Sequence, residues 1–360
     1  RKAFNPEQQQ PLSDDVIIKK LQRALPKCTI ADANVKTKTQ SDDDYLSSPY
    51  GTQIHKCNHT VQSNEMEFIF CLADGKEKDV NEYHAQVQCL SLFFIENADG
   101  VDLTSDEGGG YWKVLYVFRK HKYGDGSGDN AKYSFVGYMT LFCFFSPFKK
   151  PKPGIILRIC QALILPPYQG CGLGKGMMSA VYDYAHGKFD SILSGDGDDS
   201  DSGSGRTKAE IVEVNVEDPS PSFTRLRNRM DYQMLKDRLS SNTTSSPLLP
   251  DKYFEERHKF PFLQDGDITD AAVATKITKP QIQIAYEIFK LSQVLNIFGG
   301  KQDIDGNIEK GFRLMVKKRL NHLHREDISA CVTKEDKKKQ LSELYDDVFI
   351  QYTSILKRLK

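Results

Sequence analysis

The sequence lacks the patterns that mark a metal site, a disulfide framework or a membrane span. Its eight cysteines form no CxxC pair and its eight histidines include no HExxH motif, so we expect no bound metal. Most cysteines lie in apolar runs, which is typical of reduced thiols in an intracellular protein. No apolar run approaches the ~18 residues of a membrane span. The 49 basic residues balance the 49 acidic ones, which predicts no direct contact with nucleic acid or membrane.

The most informative segment that is present is the glycine-rich run Gln169–Gly176 (QGCGLGKG). The apolar run 155–165 before it predicts a buried strand, which Pro166 and the next proline end. Apolar residues at helical spacing predict a helix over 177–186. A strand, a glycine-rich turn and a helix start expose backbone N–H groups at the positive end of a helix dipole. The segment therefore predicts a phosphate-binding turn.

Spacing excludes two familiar phosphate loops. A P-loop requires glycine where Gln169 stands and Ser or Thr where Gly176 stands. A dinucleotide fingerprint requires its third glycine at Lys175 or Met177. The remaining pattern, Gln-x-x-Gly-x-Gly, resembles the acetyl-coenzyme A pyrophosphate loop of the GNAT acetyltransferases. The alternative at this point is a glycine-rich connection that binds nothing.

Composition and periodicity predict three segments along the chain. They are an N-terminal segment (1–80), a central domain (81–239) and a C-terminal helical domain (251–360). The chain opens on Arg1 without a signal-peptide pattern, which predicts an excised fragment or processed product. The acidic, Gly- and Ser-rich run 190–206 cannot bury apolar area, so we expect a disordered insertion.

Several secondary-structure elements follow from apolar spacing and turn residues. We predict helices over 13–25, 82–95, 279–297, 307–324 and 334–359. We predict strands over 66–72, 112–118, 134–145 and 209–216. Loops or linkers are predicted over 35–49, 99–110, 124–130 and 240–250.

The strand 209–216 brings a carboxylate to its end. Glu217 and Asp218 follow this strand, and Ser220 or Asp218 with Pro221 predicts the start of a new helix. A lysine amine with a pKa near 10.4 is mostly protonated at pH 7, so deprotonation costs about 4.6 kcal/mol. A positioned carboxylate can act as the general base for an amine acceptor. The alternative for Glu217 is a strand-end carboxylate that faces solvent.

The wider sequence resembles the catalytic subunit of type B histone acetyltransferases. The resemblance is carried by QALILPPYQG at 161–170, VEDPS at 216–220 and LRNR at 226–229. Further matches occur in the family's order: SPYGT at 48–52, YH at 83–84, FIE at 94–96, VGYMT at 136–140 and AYEI at 285–288. The first N-terminal segment of the family is missing, which is consistent with a truncated family N-terminal domain over 1–80. The insertion 190–206 departs from the family pattern.

The resemblance implies a fold class and the roles of individual residues. The fold is α/β (mixed α+β): a GNAT acetyltransferase fold with a central mixed sheet, flanked by an N-terminal α/β segment and a C-terminal helical domain. The implied catalytic carboxylates are Glu217, assisted by Asp218 and Glu96. The implied contacts to acetyl-CoA are made by Ala162, Leu163, Ile164, Gln169, Gly170, Cys171, Gly172, Leu173, Gly174, Lys175, Ser220 and Arg229. Trp112 and Tyr138 are implied to line the peptide groove, with core aromatics as the alternative.

The resemblance also implies a reaction and partners. We expect acetyl transfer from acetyl-CoA to lysine side chains of free histones, chiefly the histone H-four tail, alone or with its histone partner. Direct attack in a ternary complex is preferred over an acetylated Cys171, because that thiol would lie beside the pyrophosphate. A WD-repeat histone-binding subunit and a location in nucleus and cytoplasm are implied. The alternatives are a GNAT enzyme with another amine acceptor and a non-catalytic CoA-binding histone chaperone.

Overall fold

A computed structural model describes residues 45–61, 64–96, 98–122, 131–193, 209–240, 249–253, 259–298 and 307–359. The predicted helix 13–25, the turn 124–130, and most of the segments 35–49, 190–206 and 240–250 lie outside these residues. The chain divides into two compact units. The first comprises residues 1–146 and 155–209, and the second comprises residues 147–154 and 210–360. The predicted three-segment organisation stays a prediction.

The described residues combine strands and helices, which confirms the mixed α/β fold class. The strands are β1 (Thr52–Val61), β2 (Asn64–Asp74), β3 (Tyr111–Lys122), β4 (Ala131–Ser146), β5 (Gly154–Ile164) and β6 (Ile211–Val216). The helices are α1 (Lys78–Val87), α2 (Ser91–Phe94), α3 (Leu173–Ala185), α4 (Asp190–Leu193), α5 (Pro221–Ser240), α6 (Asp265–Thr275), α7 (Lys279–Phe298), α8 (Asn307–Leu323), α9 (Arg325–Ala330) and α10 (Lys334–Lys357).

The first unit contains a sheet in which strands β1 to β5 lie in sequence order. Antiparallel registers pair Phe70 with Val117 and Leu115 with Met139. Apolar side chains on both faces of β2, β3 and β4 are buried, because helices cover an otherwise exposed sheet face in α/β folds. The strands predicted over 66–72, 112–118, 134–145 and 155–165 are all confirmed, with each end shifted by a few residues.

Two helices of the first unit differ from their predicted bounds. The helix predicted over 82–95 is a helix from Lys78 to Val87, a 3₁₀ turn and the short helix Ser91–Phe94. The helix predicted over 177–186 begins four residues earlier, at Leu173. Glycines at 174 and 176 weakened the helical pattern of its first turn, although both residues lie within the helix.

The second unit is helical around one strand. The backbone N–H of Val214 in β6 donates to the Lys276 carbonyl at 2.8 Å. The long helices predicted over 279–297, 307–324 and 334–359 are confirmed as α7, α8 and α10. A buried carboxylate, Glu287, joins them: it accepts a hydrogen bond from Arg319 Nε at 2.8 Å and one from the Tyr352 hydroxyl at 2.9 Å.

Candidate active site

The glycine-rich turn forms an uncapped helix start in the first unit. Gly170 and Gly172 have φ angles of 83° and 79°, a region that glycine adopts without strain. Gly172 occupies the position before α3 in the left-handed conformation, and none of the described side chains hydrogen-bonds to the first amides of the helix. The first N–H groups of a helix have no partner within it, and they carry partial positive charge. The turn therefore presents donors to an anion.

The space beside these glycines is open. An atom added at the Cβ position of Gly170 or Gly172 would have no neighbour within 4 Å. The first turn of α3 contains three of the residues predicted to bind the cofactor: Leu173, Gly174 and Lys175. Leu173 is buried, whereas Lys175 is exposed. The amides of this turn and the Lys175 ammonium suit a pyrophosphate.

The end of β5 is fixed to this turn. The side-chain amide of Gln169 donates to the carbonyl oxygen of Ile164 at 2.9 Å. On the other side, the backbone of Gly137 lies so close to β5 that a Cβ there would stand 2.2 Å from the Leu163 oxygen. The predicted backbone contacts, Ala162, Leu163 and Ile164, therefore lie on a strand end held from two sides.

Gln161, the residue before this strand end, connects three elements. Its Oε1 accepts a hydrogen bond from the Tyr138 hydroxyl at 3.0 Å, and its side-chain amide donates to the Asp99 carbonyl at 2.8 Å. Its backbone N–H donates to the Thr140 hydroxyl at 3.0 Å. Burial raises the pKa of Tyr138 to about 12, so this phenol stays a donor at neutral pH. Tyr138 is 0% exposed and belongs to the core of the first unit.

The two remaining predicted residues of the first unit differ in exposure. Trp112 is half-buried, and its ring lies 4.7 Å from that of Phe142. Glu96 is exposed in the turn that follows α2. A peptide-groove role for Trp112 and Tyr138 and a proton-transfer role for Glu96 stay predictions.

The other predicted carboxylates lie in the second unit, directly after β6. Glu217 and Asp218 are exposed, and Asp218 has a φ of 34°. Ser220 accepts a hydrogen bond from the Phe223 backbone N–H at 3.3 Å, so it caps α5 as predicted, with Pro221 in the first turn. Arg229 is half-buried on the same helix. Strand β6 ends at Val216, so Glu217 and the sharp turn at Asp218 lie directly beyond its end.

The chain resembles known histone acetyltransferases in sequence. Residues 1–96 match the family described as "Histone acetyl transferase HAT1 N-terminus". The type B histone acetyltransferase catalytic subunit of Candida albicans is 28% identical over 97% of this chain and 75% of that protein. The chain is similar in sequence to type B histone acetyltransferase catalytic subunits. The match to the Mus musculus protein is 25% identical and covers 87% of this chain and 64% of that protein. The Homo sapiens protein is 24% identical over 86% of this chain and 67% of its own length.

His84 is a buried residue of the first unit to which sequence reasoning gave no role. Its Nδ1 lies 3.2 Å from the Tyr116 hydroxyl, and its ring packs edge-on against Tyr138 with centroids 5.0 Å apart. Burial lowers the pKa of His84 to about 4. The imidazole is therefore neutral at physiological pH. The pair YH at 83–84 is part of the sequence resemblance, but the burial of His84 depends on long-range packing, so the sequence alone gave it no role.

The described parts of the chain contain neither a metal-binding cluster nor a membrane-spanning helix. No group of three or more His, Cys, Asp or Glu residues there could hold a metal ion. None of the helices among the described residues is both long and apolar enough to span a membrane.

Proposed function

We propose that this chain is a histone acetyltransferase that transfers an acetyl group from acetyl-CoA to lysine side-chain amines of free histones. The observation that supports this most strongly is the uncapped helix start behind Gly170 and Gly172, in a chain related to type B histone acetyltransferase catalytic subunits. The preferred acceptor is the histone H-four tail, alone or with its histone partner. The open space at the two glycines fits a pyrophosphate.

The residues that would hold acetyl-CoA fall into three groups. Gln169–Lys175 would bind the pyrophosphate through backbone N–H groups and the Lys175 ammonium. The backbone of Ala162, Leu163 and Ile164 would lie along the pantetheine, and one N–H there would polarise the thioester carbonyl. Ser220 and Arg229 would contact the rest of the coenzyme. Bound acetyl-CoA supplies an activated acetyl group.

Glu217 would act as the general base. Its carboxylate would accept a proton from the lysine ammonium, whose deprotonation at pH 7 costs about 4.6 kcal/mol. The neutral amine would then attack the thioester carbonyl, the C–S bond would break, and the departing thiolate would take up a proton. Asp218 and Glu96 would assist this proton transfer. Both Glu217 and Asp218 are exposed, so the protons can pass to solvent.

Direct attack is proposed rather than a covalent enzyme intermediate. Cys171 lies in the turn between Gly170 and Gly172, where the pyrophosphate would bind, away from the thioester. A Cys171→Ala variant is therefore expected to keep most of the activity. A collapse of turnover in this variant with unchanged acetyl-CoA binding would instead support a ping-pong route.

The proposal also includes a binding partner and the cellular compartments. A WD-repeat histone-binding subunit is the expected partner, and nucleus and cytoplasm are the expected compartments. Two other functions compete with it: a GNAT enzyme with another amine acceptor, and a CoA-binding histone chaperone without catalysis.

An acceptor panel tests the proposal. Purified full chain is incubated with labelled acetyl-CoA and, separately, a histone H-four tail peptide, spermidine and a peptide with only its N-terminal amine free. Label on tail lysines is the expected result. Label on spermidine or on the N-terminal amine alone would contradict the proposal in favour of another acceptor. Acetyl-CoA binding without any turnover would favour the chaperone.

A further inference from the structure

A cavity in the second unit is lined by an excess of lysines. It has a volume of about 320 Å³ and lies between the segment 149–152, strand β6, and the region where α6 ends and α7 begins. This is within the ~300–1,000 Å³ range of small-molecule pockets. Five lysines line it: Lys149, Lys150, Lys152, Lys276 and Lys279.

Two glutamates neutralise only part of this charge. Lys149 pairs with Glu213, and both Lys152 and Lys276 pair with Glu210, the first at 2.5 Å. These hydrogen bonds lower the pKa of Glu210 to about 2, so it is ionised at neutral pH. Among the described residues that line the cavity or pair with its lysines, five lysines and two glutamates leave an excess of three positive charges. Like charges held this close repel one another, and a bound anion would relieve that repulsion.

Lys276 is held at the cavity in an unusual conformation. Its φ is 61°, which costs a non-glycine residue about 1–2 kcal/mol. Its side chain is only 9% exposed and pairs with Glu210, while its carbonyl accepts the Val214 N–H at 2.8 Å. Glycine or asparagine would adopt this conformation more easily. This conformation ends α6, with Lys276 as its C-cap, and Lys276 is one of the residues that line the cavity.

The remaining two lysines make the cavity accessible and attractive to an anion. Lys150 and Lys279 are both exposed on its wall. Lys279 is also the first residue of α7, so the positive end of that helix dipole lies at the cavity. Apolar side chains complete the wall: Val212, Val273 and Ile277. These side chains could pack against the apolar part of an organic ligand, next to its anionic group.

We propose that this cavity binds a small molecule that carries a phosphate group. A lysine ammonium binds phosphate as a compact point charge, and five lysines line this cavity. The site is built from residues that take no part in the proposed acetyl transfer. The inference does not depend on the proposed function.

Calorimetric titration of the full chain with inorganic pyrophosphate tests the proposal. The titration is done with saturating coenzyme A, so that phosphate groups already occupy the glycine-rich turn. The test variant is Lys150→Gln with Lys279→Gln. The control is Lys334→Gln with Lys338→Gln, which removes the same charge from exposed positions of α10 outside the cavity. Circular dichroism establishes that both variants fold.

We expect one pyrophosphate per wild-type chain, at least tenfold weaker binding by the test variant, and affinity within twofold of wild type for the control. Equal weakening in both variants would show a response to net charge and would overturn the proposal. Absence of binding to the wild type would overturn it as well. Binding of a pentaglutamate peptide in place of pyrophosphate would assign the cavity to an acidic protein segment and also overturn it.

Discussion

The hydroxyl of Tyr138 donates a hydrogen bond to the side chain of Gln161 at 3.0 Å, inside the core of the first unit. Gln161 directly precedes the strand end Ala162–Ile164. The pair therefore fixes the strand that is proposed to lie along the thioester. Through Gln161, strand β5 is hydrogen-bonded to strand β4 and to the loop that contains Asp99. The loss of one of these hydrogen bonds therefore affects several elements.

Tyr138→Phe is expected to lower the free energy of unfolding by about 1–2 kcal/mol, because a buried acceptor loses its donor. Denaturant titration measures this change. A double-mutant cycle with Gln161→Met should give a coupling energy of about 0.5–2 kcal/mol. Simple additivity of the two single changes would contradict a direct interaction between these side chains.

His84→Gln tests the buried imidazole through pH. The folded-state pKa of about 4 lies below the ordinary value of 6.5, so the unfolded chain binds the extra proton between these values. Wild-type stability should therefore fall as the pH drops from 6.5 to 4, with up to about 3 kcal/mol from this group. The His84→Gln variant should lack this pH-dependent loss of stability.

Unfolding measured at pH 7 and pH 4.5 compares the two proteins. His322→Gln, at an exposed position on α8, serves as the control and should keep the wild-type pH dependence. If His84→Gln shows the same loss of stability at pH 4.5 as the wild type, the account of His84 is wrong.

Arg319→Met tests the buried carboxylate of the helical unit. Glu287 is 0% exposed, and loss of its cation would leave a buried charge unpaired. We expect a loss of about 3–5 kcal/mol in unfolding free energy. Adding Glu287→Gln should restore part of it. Arg313→Met, at an exposed position on the same helix, should change stability by less than about 0.5 kcal/mol.

Gly172→Ala tests the glycine-rich turn. The added methyl group meets no neighbour, so the cost comes from the φ of 79° and should be about 1–2 kcal/mol. Acetyl-CoA affinity should also fall. Gly266→Ala is the matched control, since that helical glycine also has open space around it. It should stabilise the protein by about 0.5–1 kcal/mol, and equal costs at both positions would contradict the strain argument.

Local patterns in the sequence predicted the elements with strong apolar periodicity. The strands β2 to β5 and the three long helices of the second unit were found because apolar runs or helical spacing mark them. Strand β1 (TQIHKCNHTV) was missed, since it is an edge strand rich in polar residues. Helix α6 (DGDITDAAVAT) was missed because a glycine and three aspartates obscure its pattern.

The candidate site was predictable only in part, for a physical reason. The turn Gln169–Lys175 is one continuous segment, and the carboxylates Glu217 and Asp218 directly follow a predicted strand. Local reasoning could therefore propose each of them. The contact of Tyr138 with Gln161 spans 23 residues, and that of Gln161 with Asp99 spans 62. Such contacts depend on strand register, which the sequence does not display locally.

The most direct test of the central claim is the initial rate of acetyl transfer to a histone H-four tail peptide by wild type and Glu217→Gln. Acetyl-CoA affinity is measured in parallel by calorimetry. We predict a rate about 10²–10⁴-fold lower in the variant, with unchanged acetyl-CoA affinity. Since Glu217 follows the strand as an exposed residue, the variant should fold normally. A wild-type rate in the Glu217→Gln protein would contradict the proposed general base.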